Sequence, residues 1–272
     1  MMLNNLMMKQ IILSFCFLSL WNFDLFSQPS FQPENIQNKD GKTIVFRKLD
    51  PSKLKKKKKY PLVIFLHGSG ERGSDNTKQL VHGSAMFLTK KNRKDYPAFV
   101  VFPQCPEESY WATRDKSKEN GQEKYVFDYS LQPSFSLKSV FDIVTHYKMM
   151  PNVDSNRIYI MGLSMGGMGT LEAISRHPEM FAAAIPICGG GDLGYVSNFA
   201  TKVPVWLFHG AQDEEVFPKF SRDMVDKIIA NGGFPKYTEF PYANHNSWDA
   251  TFQTKDLFKW LFEQKRVQQT NY

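Results

Sequence analysis

The stretch Arg157-Ile158-Tyr159-Ile160-Met161-Gly162-Leu163-Ser164-Met165-Gly166-Gly167 decides the fold class. Its first half is apolar and rich in β-formers, which predicts a strand. Residues 165–176 read as a helix closed by His177-Pro178. Only Gly162-Leu163-Ser164-Met165-Gly166 is left to turn the chain from one element into the other. A turn that tight forces the serine into strained backbone angles, and a Cβ at either flanking glycine would strike neighbouring elements. The strain lifts Ser164 Oγ above the strand end. The N–H of Met165 opens the helix and points to where an oxyanion would form. Gly167 and Gly169 thin the helix for close packing. A glycine-rich turn with an incidental serine would not need a strand before it and a helix after it.

Outward from this turn the chain alternates strand and helix. Residues 62–66 and 98–102 are continuous apolar runs, as expected of strands buried on both faces. Residues 43–49, 157–161, 182–187, 205–208 and 237–240 supply the other strands. Leu137, Val140, Phe141, Val144 and Tyr147 recur at helical spacing. Residues 220–230 form an amphipathic helix ended by Asn231-Gly232-Gly233, and Leu257, Trp260 and Leu261 mark a terminal helix. This alternation predicts an α/β architecture, a mostly parallel central sheet with helices on both faces. No internal repeat and no Pro-, Gly- or Ser-rich linker divides it, so one domain is expected over residues 28–272.

Composition removes several classes. The 272 residues are 42% hydrophobic and include 23 Phe, 11 Tyr and 5 Trp, so a sizeable core is available. A mean hydropathy of −0.40 excludes a polytopic membrane protein. The net charge of +7 is concentrated in the five lysines Lys55 to Lys59, between Pro51 and Pro61, which read as a solvated loop. No second basic cluster interleaves with aromatics, so no nucleic-acid partner is expected. Lys9 precedes an apolar run over residues 11–21, too short for a membrane span and followed by Asn22 and Asp24. Residues 1–27 therefore read as a cleaved secretory signal peptide, with a secreted or periplasmic product and no stable membrane association. Phe15 is too bulky to precede Cys16 in a lipobox. Cys105 and Cys188 remain in the mature chain, where several strands separate them, and are expected to be free and buried.

A serine hydroxyl is a poor nucleophile without a base, and the base must be a histidine held by a carboxylate. Six histidines compete. His67 and His209 each precede a glycine at a strand end, where a backbone-bonded structural role is expected. His82 and His146 carry no partner signal, and His177 sits at a helix stop. His245 follows the last strand and precedes the terminal helix, the place where an α/β-hydrolase puts its base. The acid should follow the penultimate strand, where Asp213, Glu214 and Glu215 stand in a row. Asp213 is nearest the strand end and has the shortest reach. The order Ser164, Asp213, His245 is that of the α/β-hydrolases, not of chymotrypsin-like or subtilisin-like enzymes. In His67-Gly68-Ser69-Gly70-Glu71-Arg72-Gly73, three glycines let the backbone approach a substrate. Ser69 N–H is assigned as the partner of Met165 N–H in an oxyanion hole, with Gly70 as the alternative. No Gly-Lys-Ser/Thr follows, so a phosphate cradle is a poor reading. Residues 103–135 have no clear period yet hold Tyr110, Trp111, Tyr125, Phe127 and Tyr129, and read either as a packed excursion or as a pocket wall.

The chain resembles the secreted esterase branch of the α/β-hydrolases, near feruloyl-esterase-like and polyhydroxybutyrate-depolymerase-like enzymes and the predicted peptidases. The resemblance rests on residues 66–73, Phe102-Pro103-Gln104-Cys105-Pro106, residues 154–159 leading into Gly162-Leu163-Ser164-Met165-Gly166-Gly167, His209-Gly210 with Asp213, and His245 with Trp248. It spans about residues 40–265. It implies hydrolysis of a small-molecule or carbohydrate ester through an acyl-serine, with no metal and no organic cofactor. Trp111 resembles an aromatic at the acyl site of related esterases. A serine peptidase of the same fold and a non-catalytic binding protein on a hydrolase scaffold are the alternatives. The first often carries a propeller domain that this chain has no room for, and the second would not need every triad position filled. No long apolar lid of the lipase kind is visible.

Overall fold

The computed structural model describes residues 30–37, 41–119 and 122–266, so the expected signal peptide lies outside the described residues. Ten strands run in chain order: β1 (Gln32–Gln37), β2 (Thr43–Leu49), β3 (Tyr60–Leu66), β4 (Phe99–Pro103), β5 (Arg114–Glu119), β6 (Gln122–Phe127), β7 (Val153–Leu163), β8 (Ala183–Ile187), β9 (Trp206–Gly210) and β10 (Lys236–Phe240). Eight of them form one sheet in the order β1-β2-β4-β3-β7-β8-β9-β10, while β5 and β6 pair only with each other. The pairings β1–β2 and β2–β4 are antiparallel, and every pairing from β4 through β10 is parallel.

The helices are α1 (Ser84–Leu88), α2 (Lys90–Asp95), α3 (Phe135–Lys148), α4 (Met165–Arg176), α5 (Lys219–Ala230), α6 (Trp248–Phe252) and α7 (Leu257–Glu263). They cover both sheet faces because strand side chains alternate. Leu62, Ile64 and Leu66 pack with Leu137, Val140, Leu171, Met224 and Ile228, under α3, α4 and α5. Val63 and Phe65, one position out of phase, pack with Phe87, Leu257 and Leu261, under α1 and α7. Every residue of β3, β4, β8 and β9 is buried, which is why those strands read as unbroken apolar runs. The lysines Lys55 to Lys59 are all exposed, as expected of a solvated loop.

The strands β1, β5 and β6 and the short helices α1, α2 and α6 escaped the sequence reading. The edge strand β1 is polar and almost wholly exposed, so it carries no hydrophobic pattern. Residues 103–135, read as lacking a period, contain the β5–β6 hairpin. The alternation Tyr125, Phe127, Tyr129 was its signal. Among the described residues no helix is long and apolar enough to cross a membrane.

Candidate active site

Parallel strands end together, and the chemistry gathers at the carboxyl edge they share. His67 follows β3, Ser164 follows β7, Cys188 follows β8, Asp213 follows β9 and His245 follows β10. Ser164 caps α4 with φ 52° and ψ −117°, in the left-handed half of backbone space that a serine rarely enters. The neighbours enforce it. A Cβ on Gly166 would lie 2.0 Å from Leu66 O, and one on Gly162 would lie 2.5 Å from Gly166 O. Helix α4 thus runs against the β3 backbone, and Ser164 is pushed out above the sheet.

His245 Nε2 stands 2.9 Å from Ser164 Oγ, and His245 Nδ1 stands 2.8 Å from Asp213 Oδ2. The carboxylate can only accept, so Nδ1 carries the hydrogen and Nε2 is left to accept from the serine hydroxyl. Asp213 is fixed on its other side by the backbone N–H groups of Glu215 and Val216, each 2.9 Å from Oδ1. Burial alone would push the Asp213 carboxyl up. Hydrogen bonds from His209 and His245 outweigh that and hold it well below the usual carboxylate range. Glu215, the competitor next door, has a largely exposed side chain with Oε2 3.7 Å from His245 Nε2. Glu214 is exposed as well.

His67 and His209 are both buried and backbone-bonded. Cys105 N–H donates to His67 Nε2 at 2.9 Å, so Nδ1 carries the hydrogen and donates to Gly68 O at 2.6 Å. Burial takes this ring down to about 4, so it is neutral at physiological pH. His67 therefore braces the loop that carries Gly68 and Ser69. A Cβ on Gly68 would lie 3.8 Å from Ser164 Cβ, so this loop passes beside the nucleophile. Ser69 opens a short 3-10 turn, Ser69–Glu71, and Met165 is the first residue of α4. His209 Nε2–H donates to Val216 O at 2.7 Å, and the same nitrogen lies 3.3 Å from Asp213 Oδ2. Sequence reasoning missed that second contact, although the four-residue spacing to Asp213 was its signal.

Trp111, expected from the resemblance as a substrate contact, presents no exposed surface in this structure. Its Nε1–H donates to His67 O at 3.1 Å, and a Cβ on Gly169 would lie 2.4 Å from Trp111 Cβ. The indole fills the space between the β3 loop and α4, with no face left for a ligand. Trp248 packs edge-on against the His245 ring, with centroids 5.4 Å apart, while Tyr125 and Phe127 pack edge-on against Phe220 of α5. Tyr125, Phe217 and Phe220 line a cavity of about 850 Å³ that reaches Asp213.

Cys105 and Cys188 are free and buried. Burial pushes the Cys105 thiol up to about 11 and raises Cys188 further. Among the described residues, Cys188, Asp213 and His245 bring potential metal-ligand atoms within 4.8 Å of one another. The donor set fits a cation poorly: the thiol resists ionisation, and both Asp213 oxygens are already taken by hydrogen bonds.

The comparisons agree with this geometry. The family model described as "Putative esterase" matches residues 39–192, more than half of the chain. A crystal structure of a thermostable esterase superposes with a TM-score of 0.78 at 38% identity, covering 87% of this chain and 63% of that one. The bifunctional acetylxylan esterase/xylanase XynS20E of Neocallimastix patriciarum is 33% identical over 86 residues, 32% of this chain and 13% of that protein. An uncharacterized secreted protein of Arthroderma benhamiae is 26% identical over 237 residues, 75% of this chain and 23% of its own length. The chain thus spans less than two thirds of each of these relatives. A nucleophile elbow at Ser164, a hydrogen-bonded line from Ser164 through His245 to Asp213, an α/β-hydrolase sheet and the family match together place the chain in the putative esterase family.

Proposed function

We propose that the chain is a serine carboxylesterase that works through an acyl-Ser164 intermediate. The observation that carries this reading is the hydrogen-bonded line Ser164–His245–Asp213, set on a strained turn at the carboxyl edge of the sheet. Ser164 Oγ attacks the ester carbonyl while His245 Nε2 takes the hydroxyl proton. Asp213 holds the ring in the required tautomer and stabilises the imidazolium that forms. The N–H groups of Met165 and Ser69 receive the oxyanion. Met165 is suited to this because the first N–H groups of a helix have no intrahelical acceptor and sit at the positive end of its dipole. As the tetrahedral species collapses, His245 returns the proton to the leaving alcohol. A water then attacks the acyl-serine, with the same ring as base, and releases the acid.

The substrate we infer is an ester of a small molecule or a carbohydrate. Support comes from the acetylxylan esterase/xylanase relative and from the aromatic cavity beside Asp213, whose rings can stack on a sugar or aryl face. A secreted or periplasmic location is inferred from the sequence of residues 1–27 and from the relative named as a secreted protein. A panel of 4-nitrophenyl acyl esters, acetylated sugars, feruloyl sugars and aminoacyl anilides tests the reading. Turnover of esters without anilides is expected. Turnover of anilides alone would transfer the site to peptide hydrolysis.

A further inference from the structure

Glu172 lies on the nucleophile helix α4, two turns beyond Ser164, and its side chain is fully buried. It is the one acid in Met165–Arg176. A carboxylate in that position is costly unless it is paired and hydrogen-bonded, and this one is saturated. Its Oε2 accepts from the backbone N–H of Thr113, and its Oε1 accepts from Thr113 Oγ1 at 2.8 Å and from Arg176 Nε at 2.7 Å. Arg176 continues the line, donating from its terminal nitrogen to Leu131 O at 2.8 Å and lying over the Tyr129 ring.

The two chain segments held this way are the two feet of the β5–β6 hairpin. Thr113 immediately precedes β5, and Leu131 follows β6 by four residues. The hairpin pairs with no strand of the main sheet, so its placement draws on these feet, on the Tyr129 N–H bond to Asp192 and on the packing of Tyr125 and Phe127 against Phe220, Met168 and Val216. Tyr125 is also the hairpin's contribution to the cavity beside Asp213. A buried charge therefore connects the nucleophile helix to the wall of a cavity that is lined in part by Asp213 and its neighbours Gln212 and Glu214.

We propose that Glu172, acting with Arg176, is a positioning residue that staples both feet of the β5–β6 hairpin to the nucleophile helix and thereby holds Tyr125 as the wall of a subsite for the bulky part of the substrate. The subsite half rests on the esterase reading; the staple half does not. Glu172 touches neither the nucleophile nor the base, so its effect belongs to the binding of large esters and not to bond cleavage.

Two variants and two readouts test this. Glu172→Gln removes the charge that pairs with Arg176. Thr113→Val removes a single hydroxyl and spares the buried carboxylate, so it tests the same foot with little risk to folding. The first readout is limited trypsin digestion, which requires no ester turnover and follows cutting at Lys116, Lys118 and Lys124. Cutting is expected about tenfold faster in Glu172→Gln and severalfold faster in Thr113→Val, since hydrogen bonds to a charged group resist local opening. The second readout compares a bulky aryl or glycosyl ester with 4-nitrophenyl acetate. KM for the bulky ester should rise about five- to tenfold, while kcat on the acetate and fluorophosphonate labelling of Ser164 stay within about twofold. Unchanged digestion in both variants would overturn the staple, whatever the enzyme hydrolyses. Faster digestion with equal losses on both esters, or with a matching loss of labelled enzyme, would overturn the subsite and leave Glu172 a purely structural residue. If the wild type turns over no ester, the esterase reading fails while the digestion still decides the staple.

Discussion

His209 Nε2 stands 3.3 Å from Asp213 Oδ2, the same oxygen that His245 uses. The carboxylate is thus held between two imidazoles, with backbone N–H groups on its other oxygen. Every lone pair that matters is committed, and the side chain cannot swing. Glu214 and Glu215 have no such cradle. Asp213→Asn should therefore lower kcat by roughly 10⁴, because the amide cannot hold His245 in its working tautomer. Glu214→Gln and Glu215→Gln should each change kcat less than about threefold. Steady-state kinetics on one small ester ranks the three, and a larger loss in Glu214→Gln would displace Asp213 as the acid.

Ser164→Ala deletes one oxygen and leaves the strained turn in place. Turnover should fall by roughly 10⁴ to 10⁶, with the thermal midpoint unchanged or slightly raised. A fluorophosphonate should label the wild type at Ser164 and leave the variant unlabelled, as read by intact-protein mass spectrometry. Label retained by Ser164→Ala would place the nucleophile elsewhere.

Gly166 and Gly70 form a matched pair. A Cβ on Gly166 would meet the Leu66 carbonyl at 2.0 Å, whereas nothing lies within 4 Å of one on Gly70. The first clash is with backbone, which cannot rotate away. Gly166→Ala should destabilise the fold by about 3 kcal/mol or more, and Gly70→Ala by less than about 0.5 kcal/mol. Urea unfolding midpoints check the contrast.

Trp111 and Tyr125 should respond differently to truncation. Trp111→Ala empties a fully buried site between the β3 loop and α4 and should cost about 3–5 kcal/mol of stability. Activity should be lost in proportion to unfolded protein, alike on small and large esters. Tyr125→Ala should cost less stability than Trp111→Ala and raise KM for an aryl or sugar ester severalfold, in line with about 0.5–1.5 kcal/mol for an aromatic contact. A selective KM effect in Trp111→Ala would contradict the packing described above.

His67 makes the fold sensitive to acid. The native ring is taken from its ordinary 6.5 down to about 4 by burial. Between those values the unfolded chain binds a proton that the native ring refuses. Stability is therefore complete above about 6.5 and falls as pH drops toward 4, by about 1.4 kcal/mol per pH unit from this group. Asp213 is depressed from its ordinary 3.8, so its own contribution is lost only at still lower pH. Urea midpoints at pH 7.5 and 5 should differ accordingly, and His67→Gln should flatten the difference. An equal slope in the variant would remove His67 as the cause.

Much of this protein is determined locally. An apolar run buried on both faces can only be an interior strand, and a glycine-flanked serine between strand and helix can only be a strained elbow. Strand order along the chain then brings Ser164, Asp213 and His245 to one sheet edge, so the fold class and the order of the triad are legible in the sequence. What tertiary structure alone decided are the facts that depend on distant parts of the chain meeting. Neither Trp111 nor Tyr125 carries a local mark of burial, because an aromatic ring serves equally well in a core or at a cavity wall. In the β5–β6 hairpin, Tyr125 and Phe127 pack on Met168 and Val216, which lie far along the chain. His209 beside Asp213, and Glu172 beneath Thr113 and against Arg176, are polar groups whose worth comes from desolvation and exact partners. Those are set only when the sheet edge closes and the excursion docks on α4.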